Sequence, residues 1–186
     1  MSDQVETYFS RASKAFLSIS KIQISQSISL LKNALENRAT IYLIGNGGSA
    51  ATASHFATDI GKTLNSRGKP GRAISLCDNS SVITAISNDI SFDQVFEKQL
   101  SCLANPNDVL ISISASGNSN NLIRAVNFAN KNHIMTLSLT GFNGGELSNI
   151  SKFSLHVPTI EGDYGVAEDC HSILCHYLSE ELRKIV

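Results

Sequence analysis

His55 and Asp59 lie four residues apart in Ser49–Leu64, a stretch whose apolar residues recur at helical spacing, so an imidazole and a carboxylate share one helix face. That pairing suits a divalent cation. By itself it is also the ordinary pattern of a surface ion pair. A second group stands near the end of the sequence, where Glu168-Asp169-Cys170-His171 is followed by Cys175-His176. On one straight helix Glu168 and His176 are about 12 Å apart, too far to share an ion whose donors sit near 2 Å. A site using both requires the helix to begin after Glu168, or two chains to meet. His171 and Cys175, again i and i+4, form a competing pair, although two buried structural residues account for them more simply. His133 and His156 fall at the start of a strand-like run and within another, and are read as structural.

Two loops are built to receive an anion. Gly45-Asn46-Gly47-Gly48-Ser49 follows an apolar run ending at Ile44 and precedes the helix carrying His55. Its glycines let the backbone approach a ligand closely, and the following helix offers unpaired N–H groups and the positive end of its dipole. A bare strand–helix turn has the same composition. Ser114-Ala115-Ser116-Gly117-Asn118-Ser119, between another apolar run and another helix, sets three hydroxyls beside a glycine. Neither loop has a lysine or arginine, so a phosphate here would be held by hydroxyls and amides. Gly45, Gly47 and Ala50 also fit G-x-G-x-x-A, but the nearest acid at the end of the second strand, Asp78, is well beyond the spacing of about 20 residues that a ribose contact requires. No Gly-Lys-Ser/Thr follows, so the loop is not a Walker loop either.

The elements that must position these groups read as repeated βα units. Expected strands are 40–44, 73–76, 108–113, 134–139 and 153–157. Expected helices are 49–64, 92–103, 120–130 and 166–185, with shorter ones at 81–87 and 145–150. Residues 1–38 carry two helical stripes, Tyr8, Ala12, Ala15 and Phe16, then Ile22, Ile24, Ile28, Leu31 and Leu35. The expected fold is α/β, a three-layer doubly wound parallel sheet of about five strands preceded by an N-terminal helical pair. It forms one domain over 1–186, its core at 39–186. In such sheets ligands bind beyond the carboxyl ends of the strands, where both loops lie.

The composition is that of an ordinary globular chain. The 186 residues are 42% hydrophobic and 17% charged with net charge −1, which gives no electrostatic footprint for nucleic acid. No apolar run reaches the ~18 residues of a membrane helix, and the acidic start, MSDQVETYF, is not a signal peptide. Cys77, Cys102, Cys170 and Cys175 show no framework spacing, and Cys77 and Cys102 read as small core residues. A cytoplasmic protein with no nucleic-acid or membrane partner is expected.

GNGGSAATASHFATD (45–59), the Asn88-Asp89 pair in AISND (85–89), SASGNS (114–119) and LTGFNGGEL (139–147) stand in an order and spacing that resemble the sugar isomerase (SIS) domain family, and within it the bacterial phosphoheptose isomerases. The resemblance runs from about Ile41 to Leu182, and the N-terminal helices suit it. It implies an aldose–ketose isomerase acting on a phosphorylated sugar, sedoheptulose 7-phosphate, in a homo-oligomer, a tetramer with the N-terminal helices at its interfaces. An exposed stripe through Ile24, Ile28, Leu31 and Leu35 would be costly and supports that interface. The resemblance places Asn46, Gly47, Gly48, Asn88, Asp89, Ser114, Ala115, Ser116, Ser119 and Glu168 around the sugar phosphate. It makes His55, Asp59, Glu168 and His176 the ligands of one divalent ion per subunit, zinc being the expected one, with Asp59 as base or ligand and His176 as acid or ligand. Such a reaction moves a proton between adjacent carbons through an enediol, and needs a base, an acid and a polarised oxygen.

Two positions depart from the family pattern. Its glutamate is Asp59 here, which draws the carboxylate back by about 1.5 Å, and misplacement on that scale can cost ~100-fold in rate. Its glutamine is Glu168, which adds a negative charge beside the ion. Two outcomes remain open, a site re-tuned for another sugar or a relative that has lost catalysis. A non-catalytic member, such as the one that assists the bacterial replication initiator, would not need the set His55, Asp59, Glu168 and His176.

Overall fold

The computed structural model describes residues 2–65 and 71–185. Strands β1 (Ile41–Gly45), β2 (Ala73–Ser75), β3 (Val109–Ser114), β4 (Met135–Thr140) and β5 (Phe153–His156) alternate with helices α3 (Gly48–Asn65), α4 (Ser80–Asp89), α5 (Val95–Leu103), α6 (Asn120–Lys131), α7 (Gly145–Ile150) and α8 (Tyr164–Ile185). The pair α1 (Ser2–Leu17) and α2 (Lys21–Glu36) precedes them, and α5 is entered through a 3-10 turn at Phe92–Gln94. The five strands form one sheet in the order β2-β1-β3-β4-β5, every pairing parallel.

Both sheet faces are covered, which is why every residue of β1 and β3 is buried. Alternate residues feed two cores. Ile41, Leu43, Val109, Ile111 and Ile113 pack with α1, α2, α3 and α8, whereas Tyr42, Ile44 and Leu110 pack with α5, α6 and α7. Each expected strand forms within one residue of its expected limits. The first and third start one residue late because the Asp108 carboxylate accepts from the Thr40 N–H (2.7 Å) and the Asn105 N–H (2.8 Å), a tie between the two strand entrances.

Three expectations are corrected. α8 begins at Tyr164, two residues before its expected start, which closes the alternative of a helix that starts after Glu168 so that Glu168 and His176 can share an ion. The stripe of α2 is not exposed: Leu31 and Leu35 are buried, and Ile24 and Ile28 pack against the same core. Its burial stabilises the chain itself by about 1.5–3 kcal/mol for each full side chain, so it is no argument for an oligomer. Among the described residues of α1 and α2, the large apolar side chains left outside are Phe9 (66% exposed), Leu17 (82%) and Ile22 (71%). Cys102 is exposed rather than a core residue, while Cys170 and Cys175 are buried. No helix among the described residues is long and apolar enough to cross a membrane.

Candidate functional site

The buried row Ala53, Phe56, Ala57 and Ile60 clamps α3 onto the sheet. The same turns hold His55 and Asp59 on the neighbouring face, toward α8. On α8, Leu174, Cys175, Leu178 and Leu182 are the buried row and His176 is left exposed. The packing of these two helices brings together residues 121 positions apart in the chain. His55 Nε2 lies 3.5 Å from His176 Nε2, with the rings edge to face. Asp59 completes the triangle, one carboxylate oxygen 3.8 Å from His55 Nε2 and the other 3.9 Å from His176 Nε2. All three donor atoms fall within 4.8 Å of one another. Donors bonded tetrahedrally to one zinc stand about 3.4 Å apart, so the triangle is close to the size that an ion requires. Two imidazoles and one carboxylate make a three-ligand set, which leaves a position open.

Glu168 is not part of this triangle. It sits two turns before His176 on α8, and its carboxylate lies against Gly48 so closely that a Cβ there would overlap Oε2 and stand 2.9 Å from Cδ. Glu168 therefore belongs to the glycine loop and the start of α3, where a helix N-terminus favours a negative charge. Of the four expected ligands, the structure brings His55, Asp59 and His176 together within one chain and leaves Glu168 apart.

The two loops meet at the sheet's switch point, since β1 and β3 are neighbours whose connections run in opposite directions. In the first, a Cβ on Gly45 would stand 2.6 Å from the Ser49 backbone, so only glycine lets α3 start this close to its strand. Gly47 and Gly48 are exposed beside the half-buried Asn46. In the second, Gly117 has φ +68° and rests on the Gly144 carbonyl, which joins this loop to the one after β4. The buried Ser114 Oγ accepts from the Gly117 N–H at 3.1 Å, and Ser116 Oγ accepts from the Asn118 N–H at 3.3 Å. Both hydroxyls retain their own hydrogen for a ligand. Ser119 caps α6 by position, yet its side chain makes no capping bond. Ala115 is buried against Phe142 and Ala167 and contributes backbone alone.

Asn88 and Asp89 end α4, exposed and hydrogen-bonded to each other at 2.9 Å; among the described residues no hydrogen bond ties them to either loop. Asp78, the acid that a dinucleotide would need, is taken by the Ser54 hydroxyl. His171 and Cys175 are buried structural residues. Burial lowers the His171 pKa to about 4 and pushes that of the Cys175 thiol up. The sequence reading missed Asn121, a buried amide in the first turn of α6 that pairs with Asn46. The only signal was an asparagine on the apolar side of that helix, next to Leu122.

The SIS domain model matches residues 7–141. The phosphoheptose isomerase of Aquifex aeolicus is 36% identical over 172 residues, 92% of this chain and 89% of the relative. That of Helicobacter pylori strain P12 is 40% identical over 157 residues, 84% and 81%. The solved phosphoheptose isomerase of Neisseria gonorrhoeae superposes with a TM-score of 0.88 at 30% identity, covering 98% of both chains. The likeness thus extends past residue 141 to α8, which carries Glu168 and His176. The chain belongs to the SIS domain family.

Proposed function

We propose that this chain interconverts the ketose and aldose forms of a phosphorylated sugar, taking sedoheptulose 7-phosphate to glycero-manno-heptose 7-phosphate. One observation carries the reading: His55 and Asp59, which His176 of α8 completes into a triangle, stand on the helix that starts in one ligand loop. His55 is seven residues into α3 from Gly48, about 10 Å along its axis. An extended seven-carbon sugar measures about 8 Å from first to last carbon, so a phosphate at the loops leaves the reacting carbons near the triangle. The names of the relatives support the heptose phosphate as substrate.

In this reading Ser116 and Ser119 donate to the phosphate beside the start of α6, with Ser114 holding the turn and Ala115 presenting backbone. Asn46, Gly47 and Gly48 line the sugar, Asn88 and Asp89 close the rim, and Glu168 faces the sugar from α8. Asp59 is base or ligand and His176 acid or ligand. As base, Asp59 would take the proton from the carbon beside the carbonyl and deliver it to the former carbonyl carbon. As acid, His176 would pass a proton between the enediol oxygens, so that both groups end as they began. The donor set fits zinc, held by His55, Asp59 and His176, and a bound ion would supply polarisation of the substrate oxygen. The working form is a homotetramer, and the exposed Phe9, Leu17 and Ile22 support burial between copies.

Purified protein incubated with sedoheptulose 7-phosphate in deuterated water, with and without zinc, tests the reading. Aldose formation with deuterium entering at carbon supports it. Neither product nor exchange under any metal condition overturns it.

A further inference from the structure

The two ligand loops are joined by one pair of side chains. Asn46 Nδ2 donates to Asn121 Oδ1 at 3.0 Å, and Asn121 Nδ2 donates back to Asn46 Oδ1 at 2.9 Å. Asn121 is 2% exposed and lies among the apolar residues that seat α6, Leu122, Ala125 and Val126. A buried amide at such a place is costly unless satisfied, and leucine would serve the packing alone. Its reason for being there is the partner it holds.

The pair also has a direction. Asn121 Oδ1 accepts from the Leu122 N–H at 3.0 Å as well as from Asn46. That backbone donor fixes which end of the Asn121 amide is oxygen, so Asn121 must donate to Asn46 through Nδ2. Asn46 can then answer only with its oxygen accepting and its nitrogen donating. Turning the Asn46 amide over would set two donors and two acceptors against each other. One N–H and one lone pair of Asn46 remain for a ligand, and their positions are set from the first turn of the helix that follows the other loop.

We propose that Asn121 is a positioning residue of the site, which orients the Asn46 amide for the sugar and couples the glycine loop to the serine loop. The proposal rests on the isomerase reading above. It makes the phosphate side and the sugar side of the crevice one rigid unit, joined across β1 and β3.

A double-mutant cycle on the full chain tests it, using Asn121→Ala, Asn46→Ala and the double variant with sedoheptulose 7-phosphate. Asn121→Ala should lower kcat/KM about tenfold, the loss of an oriented hydrogen bond, yet change it less than about twofold when Asn46 is already alanine. Inorganic phosphate should protect wild type and Asn121→Ala equally against thermal unfolding, since the serine loop is intact. Asn121→Leu, which fills the same space, replaces the alanine variant if that one does not fold. Additive losses in the cycle, or unchanged kcat/KM in the single variant, overturn the assignment. A wild type that binds the sugar phosphate without converting it overturns the isomerase reading alone, and the cycle is then read in Kd. A wild type that neither binds nor converts it overturns both.

Discussion

Replacing His171 by leucine should remove an acid sensitivity that the wild type carries in its core. His171 is fully buried on α8, between Glu168 and His176, and neither ring nitrogen has a hydrogen-bond partner among the described residues. Burial lowers its pKa from 6.5 to about 4; the nearby Thr140 backbone opposes part of the shift, and His156 on β5 adds to it. The folded chain therefore holds His171 neutral, while the unfolded chain protonates it below about pH 6.5. Between pH 6.5 and 4 the unfolded state binds more protons, so stability falls as the pH falls. The shift of about 2.5 pH units is worth about 3 kcal/mol, or a Tm drop of about 10 °C for a chain of this size. His171→Leu keeps a similar volume, removes an unpartnered polar group worth about 1–3 kcal/mol, and cannot be protonated. Thermal unfolding of both proteins from pH 7.5 to 4 is the assay. Carboxylates and His156 titrate in both, so the difference isolates His171. The Tm difference should be small or in favour of leucine at pH 7.5 and widen steadily below pH 6.5. Parallel profiles would refute the reasoning.

Three further outcomes are expected. After zinc loading and desalting, His55→Ala and His176→Ala should each retain less than about a tenth of an ion per chain, whereas Glu168→Ala should stay near the wild-type content, because its carboxylate faces Gly48. Equal zinc loss in Glu168→Ala, read by elemental analysis, would return Glu168 to the ligand set. Ser116→Ala and Ser119→Ala should each weaken sugar-phosphate binding by about 0.5–1.5 kcal/mol in calorimetry, Ser119→Ala with no change in Tm since its hydroxyl caps nothing. Gly117→Ala should cost at least about 1 kcal/mol in urea unfolding from its left-handed backbone alone, and more from contact with the Gly144 backbone; a neutral result would mean that the loop relaxes freely.

Much of the site was legible because its parts are local. The glycine loop, the serine loop and the pair His55 and Asp59 are each set by spacing within a few residues, and the strands betray themselves as short apolar runs between turns. The motifs in their order were enough to resemble one family and to imply its chemistry. Glu168 was harder. The 12 Å separation from His176 was legible as a conflict, but whether α8 began before or after Glu168 depended on Gly162 and Asp163, a local boundary that periodicity places poorly.

What the sequence by itself determined was the inventory of elements, the glycine and serine loops and the i, i+4 histidine–carboxylate pair, because these follow from backbone sterics and helical repeat. Only the tertiary structure decided which of them meet. The order β2-β1-β3-β4-β5 puts the two loops side by side, and the packing of α3 against α8 carries His176 to His55. It also spent the α2 stripe inside the chain and turned Asn121 toward Asn46. Each of these depends on which apolar faces bury one another across the sheet. That choice is made by non-local packing free energy, which no short window of sequence contains.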